Sequence, residues 1–295
     1  MAVARRHPEW IKVRAPGGEG YASTKRVVQS LDLHTVCEEA HCPNVAECWG
    51  HRTATFMLLG DVCTRNCPYC AVAHGRPNPL DPDEPARVAA AAEQMQLRYV
   101  VLTSVDRDDL PDGGASGFAA TITEIRRRLP SCRIEVLIPD FQGKEAPLHA
   151  VLDAGPDILN HNTETVPRLY RTARPGGRYP RTLELLDRAR KYAPRIPTKS
   201  GLMVGIGEEW DEVVATLADL RSVGCEILTI GQYLSPSASH LPVTRYYHPD
   251  EFEALKATAL SMGFGHVESG PLVRSSYHAH QQADAYDESK LVTHA

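Results

Sequence analysis

Six short apolar runs recur from residue 53 onward, and stretches with helical spacing separate most of them. Thr53-Ala-Thr-Phe-Met-Leu-Leu59, Arg98-Tyr-Val-Val-Leu-Thr-Ser-Val105 and Arg133-Ile-Glu-Val-Leu-Ile138 are the first three. Asp157-Ile-Leu-Asn160, Lys199-Ser-Gly-Leu-Met-Val204 and Glu226-Ile-Leu-Thr-Ile230 complete the set. Each is too short for a helix and reads as a buried strand. Residues 84–96, 116–129, 181–193 and 210–223 carry Ala, Leu, Glu and Arg at helical spacing, with starts at Pro85, near Ser116 and at Asp211. Strand–helix alternation of this kind implies βαβ units around a parallel sheet. Six units predict an α/β fold, a partial (β/α)6 TIM-like barrel, because a closed barrel has eight. A doubly wound open sheet stays open as the alternative, although no Gly-x-Gly-x-x-Gly follows the first run.

The two ends differ from this middle. Residues 1–52 are polar and rich in Pro, Gly and His, without a sustained period, and read as an N-terminal extension. The barrel is expected over 53–262 and a short C-terminal extension over 263–295, its last stretch from His278 loosely ordered. There is no internal repeat and no low-complexity tract.

Composition narrows the function classes. Of 295 residues, 42% are apolar and 23% charged, which is ordinary for a globular chain. A formal charge of −5 supplies no basic field for nucleic acid. No stretch approaches the ~18 apolar residues of a membrane span. Arg5-Arg6-His7 leads into no apolar run, so no secretory signal is expected. The expected compartment is the cytoplasm, where thiols stay reduced and clustered cysteines read as metal ligands.

Six of the eight cysteines lie between positions 37 and 70. Cys37, Cys42 and Cys48 form a C-x4-C-x5-C; Cys63, Cys67 and Cys70 form a C-x3-C-x2-C. Structural zinc and ordinary cubane clusters are closed by four protein ligands. A triplet leaves one coordination position for something else. The second triplet follows the first apolar run, on a loop short enough to wrap three corners of a cubane at little entropic cost. Tyr69 offers an aromatic face beside it for a planar base. A single cysteine is more often a small buried hydrophobe, and that is the expected role of Cys132 and Cys225. Zinc is the plain rival, but the paired C-x2-C spacing of a zinc ribbon is missing. Active sites of α/β barrels form at the carboxyl ends of the strands, where this chain places Ser104 to Asp109, Asn160 to Glu164, Gly205 to Glu208 and Gln232-Tyr233.

The C-x3-C-x-aromatic-C loop resembles the signature of the radical S-adenosylmethionine enzymes, whose fold is a partial or full α/β barrel. The resemblance implies a [4Fe–4S] cluster whose open iron binds S-adenosylmethionine and whose electron cleaves it to methionine and a 5′-deoxyadenosyl radical. Tyr69, Thr103, Ser104, Asn160, Asn162 and Glu164 are the residues expected around that cofactor, with Gly205 to Glu208 on the adenine side.

An ordered set of further stretches resembles the lipoyl synthase family from about residue 8 to His278. It comprises Pro8-Glu-Trp10-Ile-Lys12, both triplets, Thr103-Ser-Val-Asp-Arg-Asp-Asp-Leu110, Asn160-His-Asn-Thr-Glu-Thr-Val166, Lys199 to Val204, Gly231-Gln-Tyr-Leu-Ser-Pro236 and Arg274-Ser-Ser-Tyr277. The resemblance implies a second, auxiliary [4Fe–4S] cluster on Cys37, Cys42 and Cys48, with Ser276 as fourth ligand and Ser275 as the alternative. A serine oxygen is a hard ligand for an iron that prefers thiolates, so that iron should be the most easily released. On its own, Arg-Ser-Ser-Tyr would read as a polar loop or cap.

The implied reaction inserts sulfur at C6 and C8 of an octanoyl group amide-linked to a carrier lysine, with the auxiliary cluster as donor. Implied partners are octanoylated lipoyl carrier domains, on the E2 subunits of 2-oxoacid dehydrogenases and the glycine cleavage H protein. A reductant such as ferredoxin or flavodoxin and an iron–sulfur assembly or carrier protein complete the set. Residues 168–195 hold eight arginines, and Arg174 and Arg178 are the expected docking contacts for an acidic carrier face. A solvated helix face is the equal alternative. Two rivals remain: a different auxiliary-cluster enzyme of the superfamily, and a non-catalytic ferredoxin-like or zinc module. The first would carry its extra cysteines near the C-terminus; the second leaves the barrel pattern unexplained.

Overall fold

Every expected strand forms, and the sheet continues beyond them at both ends. In the computed structural model, which describes residues 7–13, 15–51 and 53–293 (289–293 by backbone alone), eight strands pair in sequential order. They are β1 (His34–Thr35), β2 (Thr55–Leu58), β3 (Tyr99–Ser104), β4 (Arg133–Leu137), β5 (Ile158–Asn160), β6 (Thr198–Val204), β7 (Ile227–Gln232) and β8 (His266–Gly270). β1 runs antiparallel to β2, and all later neighbours are parallel. The order ends at β1 and β8, so the sheet is an open, partial barrel. Arg5 and Arg6 lie outside the described residues.

Helices fill the connections: α1 (Glu19–Ser30), α2 (Val36–Glu39), α3 (Val45–Gly50), α4 (Glu84–Gln94), α5 (Ala115–Arg128), α6 (Glu145–Asp153), α7 (Tyr170–Ala173), α8 (Tyr179–Tyr192), α9 (Trp210–Ser222), α10 (Pro249–Ser261) and α11 (Ala279–Thr293). Capping boxes start α9 at Glu209 and α10 at His248. The core lies between strand faces such as Phe56, Leu102, Ile134 and Leu228 and helix faces such as Ala89, Phe118, Leu148 and Leu217, all fully or almost fully buried.

Three expectations at the ends need correction. The N-terminal extension is not irregular: α1 packs on α3 and carries Tyr21 against the wholly buried Trp49. The parallel sheet does not stop at 262, because β8 pairs with β7. The C-terminus is a helix rather than a loose tail: α11 buries Ala279, Ala283 and Tyr286 against Tyr99, Val101, Ile158 and Ile227. Small alanines at helical spacing give little apolar signal in sequence, yet they let a helix lie close. Between β8 and α11 the chain crosses β7 at Gly231, where any Cβ would meet the Val273 carbonyl oxygen at 2.1 Å. That missing side chain seats the Arg274–Ser276 segment.

Candidate active site

The turn after β2 throws the second triplet across the strand ends. Leu59 (φ 71°) and Gly60 (φ 93°) are left-handed there, and the Leu59 N–H donates to Glu84 Oε2 at 2.8 Å. Cys63 Sγ accepts the N–H groups of Arg65 and Asp106 at 3.4 and 3.3 Å. Thr64 bonds the Asp106 carbonyl twice, and its hydroxyl takes the Asp108 N–H. From the other side, the Leu241 N–H reaches the Pro68 carbonyl and a His240 ring nitrogen lies 3.2 Å from the Cys70 carbonyl.

Arg65, inside the cysteine loop, is the main tie. Its guanidinium donates to Asp108 at 2.7 and 2.8 Å and to Asp140 at 2.6 Å, and stands 3.4 Å from Asp106. Asp140 is held well below the ordinary carboxylate range by Arg65 against the pull of burial, whereas burial raises Asp106 despite the same cation. Removing one partner of a buried ion pair costs about 3–5 kcal/mol because the others stay uncompensated. Arg65→Lys keeps the charge but loses the fork. We expect it to lower cluster retention and turnover together by about 10–100-fold, as outer-shell changes at metal sites do. Iron per chain measured beside activity checks this; unchanged iron retention would contradict it.

Around this loop lies a cavity of about 540 Å³ that also receives Thr103, Ser104, Asn162, Glu164 and Arg174. Thr103 Oγ1 is spent on the Leu137 carbonyl at 2.9 Å. Ser104 Oγ and Asn162 Oδ1 are buried polar atoms without a partner among the described residues; such atoms are costly unless a ligand satisfies them. Glu164 is left-handed (φ 68°) and accepts Asn162 Nδ2 at 3.1 Å. Burial raises its carboxyl, while Arg174, Asn162 and Tyr69 oppose that rise. Burial also pushes the Tyr69 phenol well up, beside Glu164.

One expected role is corrected here, and one expected residue lies deeper than the cavity lining. Arg174 is 8% exposed, donates to the Asn162 carbonyl at 2.7 Å, and lines the cavity, so it is no surface docking contact. Gly177 permits this, since a Cβ there would lie 2.8 Å from the Arg174 side chain. Asn160 is fully buried beneath the cavity, donating to Glu135 Oε1 at 3.0 Å, which Lys199 also grips at 2.9 Å. Side chains alternate along β5, and Asn160 falls on the barrel interior. Arg178 is exposed at the start of α8. Gly205 to Glu208 folds on itself, Glu208 accepting the Gly205 and Ile206 N–H groups at 2.6 and 3.0 Å.

The first triplet sits on α2, α3 and the turn between them. Thr35 caps α2 by accepting the Glu38 N–H at 3.3 Å, and the Cys42 N–H closes onto the Cys37 carbonyl at 3.1 Å. A distant segment completes the site. Asn44 Nδ2 donates to the Leu272 carbonyl at 2.7 Å; Tyr277 OH donates to Glu47 at 3.1 Å, and His278 Nε2 lies 3.0 Å from the same carboxylate. A second cavity, of about 910 Å³, brings Cys37, Cys42, Cys48 and Ser276 to one wall. Ser275 faces only the first cavity.

Both triplets lie in burial that disfavours free thiolates. Burial pushes Cys37 and Cys70 up to about 11 and Cys48 and Cys67 up to about 12. Such thiols ionise when a metal replaces their protons. Among the described residues, no three His, Cys, Asp or Glu side chains converge tightly enough for a single ion. Arg65, Asp140, Glu47 and His240 are parts of the site that were not singled out from the sequence. Arg65 and Glu47 adjoin or lie between cysteines, which was the available signal; the others are brought in by the fold.

Residues 57–220 match the family model of the radical SAM superfamily, and residues 2–42 that of the N-terminal domain of lipoyl synthase. The lipoyl synthase of Rubrobacter xylanophilus is 59% identical over 94% of this chain and 86% of its own length. That of Roseiflexus sp. is 59% identical over 95% of this chain and 93% of its own. Among solved structures, methylornithine synthase superposes with a TM-score of 0.54 at 14% identity, covering 75% of this chain and 72% of that one. The last likeness concerns the barrel alone. The first two extend through the cysteine-bearing extension as well as the barrel, and on them the chain belongs to the lipoyl synthase family of the radical S-adenosylmethionine superfamily.

Proposed function

We propose that this chain converts an octanoyl group on a carrier lysine to a lipoyl group by inserting sulfur at C6 and C8. The observation that carries the reading is that both triplets border one cavity, with Cys37, Cys42, Ser276, Cys63, Cys67 and Cys70 all on its wall. When bound, a [4Fe–4S] cluster with S-adenosylmethionine supplies a carbon radical, and a second cluster supplies sulfide. Cys63, Cys67 and Cys70 would hold the first. Cys37, Cys42, Cys48 and Ser276 would hold the second.

The remaining residues bind, orient and exclude water. Ser104 and Asn162 present unsatisfied oxygens to the cofactor, and Glu164 can accept from its hydroxyl or ammonium groups. Arg174 sets a buried cation beside Tyr69 and Glu164 and suits a carboxylate. Two clusters would bring about eight irons, and one about four.

The carrier is an octanoylated lipoyl domain, of the E2 or H-protein kind. Docking through the basic stretch now rests on few groups. Arg168, Arg181, Arg188 and Lys191 are paired with Glu212, Asp140, Glu145 and Asp187. Arg178 remains exposed for that contact. A ferredoxin or flavodoxin would deliver electrons and an iron–sulfur carrier would restore the spent cluster. A cytoplasmic setting suits reduced thiols. Among the described residues, no helix is long and apolar enough to cross a membrane.

Anaerobically reconstituted protein, dithionite, S-adenosylmethionine and an octanoyl-lysine peptide test the reading directly. The peptide should gain two sulfurs by mass. Cleavage of S-adenosylmethionine without any sulfur gain would overturn it.

A further inference from the structure

The two cavities are separate, yet they share a wall. The first holds the carboxyl ends of the strands: Thr103 and Ser104 of β3, Leu137 of β4, Met203 of β6 and Gln232 of β7. The second reaches the opposite ends of the same sheet, at Tyr99 of β3 and Arg133 of β4. Cys37, Cys42, Thr55, Arg274 and Ser276 border both, while Cys48 borders only the second. The first triplet and its serine therefore form a partition with a chamber on each side.

Their contents must differ. The first chamber, at about 540 Å³, is already in the range that one cofactor or drug-sized ligand fills. The second is larger, at about 910 Å³, and none of the residues assigned to S-adenosylmethionine lines it. Its outer end is bordered by exposed His51, Gln96, Arg98, Gln281 and Asp284. Its inner wall carries Glu47, His278 and His280, the last within electrostatic reach of both His278 and His51. Imidazoles and carboxylates are suitable transient ligands for ferrous iron. Glu47 and His278 lie 3.0 Å apart on this wall, beside the Tyr277 hydroxyl.

We propose that the second chamber is the passage by which iron leaves and re-enters the first-triplet site, while the substrate approaches the same site from the first chamber. This rests on the two-cluster reading above. It assigns the chamber's mouth, between the end of α4 and the start of α11, as the face that receives iron during repair.

The test uses fully loaded holoenzyme without reductant and a colorimetric ferrous chelator. Gln281→Trp and, separately, Arg98→Trp narrow the mouth from two different elements, so a folding failure in one leaves the other. Each should slow iron capture several-fold and slow re-loading with an equal mixture of ferrous and ferric iron plus sulfide after one turnover, while the first turnover stays at the wild-type level. Filling the first chamber with S-adenosylmethionine and octanoyl-lysine peptide should leave capture almost unchanged. The reverse pattern, blockage by those ligands and indifference to both tryptophans, overturns the passage alone. About four irons per chain instead of about eight overturns the two-cluster reading and the passage with it.

Discussion

Replacing Cys63, Cys67 or Cys70 with Ala is expected to bring reductive cleavage of S-adenosylmethionine down to background. Replacing Cys37, Cys42 or Cys48 should leave cleavage measurable and stop sulfur transfer. The asymmetry follows from the two settings. The second triplet shares its loop with Tyr69 and its cavity with Ser104, Asn162 and Glu164, which on the proposed reading would receive the cofactor's polar ends. The first triplet is tied instead to the segment that follows β8 and crosses Gly231, through Asn44 and Glu47. Loss of one thiolate would leave the Cys63–Cys70 site with two protein ligands, and the first-triplet site with two thiolates and the Ser276 oxygen. Measuring 5′-deoxyadenosine and sulfur-bearing peptide in the same reaction separates the two outcomes. Equal loss of both products in both sets would refute this division of labour.

A second large effect is expected at Ser276. Ser276→Cys should preserve or raise iron content, because a soft thiolate suits iron–sulfur clusters better than a hydroxyl oxygen. The same tighter grip should depress sulfur insertion by more than the about 10–100-fold typical of outer-shell changes. Ser276→Ala should lose iron and insertion together. Ser275→Ala should stay near wild type, since Ser275 faces only the first cavity and Ser276 faces both. Iron per chain and peptide mass decide the matter, and a reversed pattern would make Ser275 the ligand.

Much of the barrel was legible because strands buried on both faces read as continuous apolar runs. Phe56 to Leu58 and Val100 to Leu102 are of that kind. β8 was not legible: His266, Glu268 and Gly270 alternate with buried Val267 and Ser269, so its pattern is half polar. α1 buries only Thr24 and Val28, too few to announce a helix. The cysteine sites were readable because ligand spacing is encoded locally in the chain. Arg174 was not, because nothing local distinguishes a guanidinium that turns inward past Gly177 from one that points to solvent. Glu47 and His278, 231 residues apart, could be joined only by the fold.

That last separation has a bearing on how the protein is made. Asn44 and Glu47 leave the ribosome early, but Leu272, Tyr277 and His278 emerge only when synthesis is nearly finished. Through most of translation the nascent chain can shape the Cys63–Cys70 loop, whose ties to Asp106, Asp108 and Asp140 are all available by residue 140. The serine-bearing wall must wait for the final stretch. A chain stopped just before Arg274 would therefore keep the carboxylate ties of the Cys63–Cys70 loop while lacking Ser276 beside the first triplet.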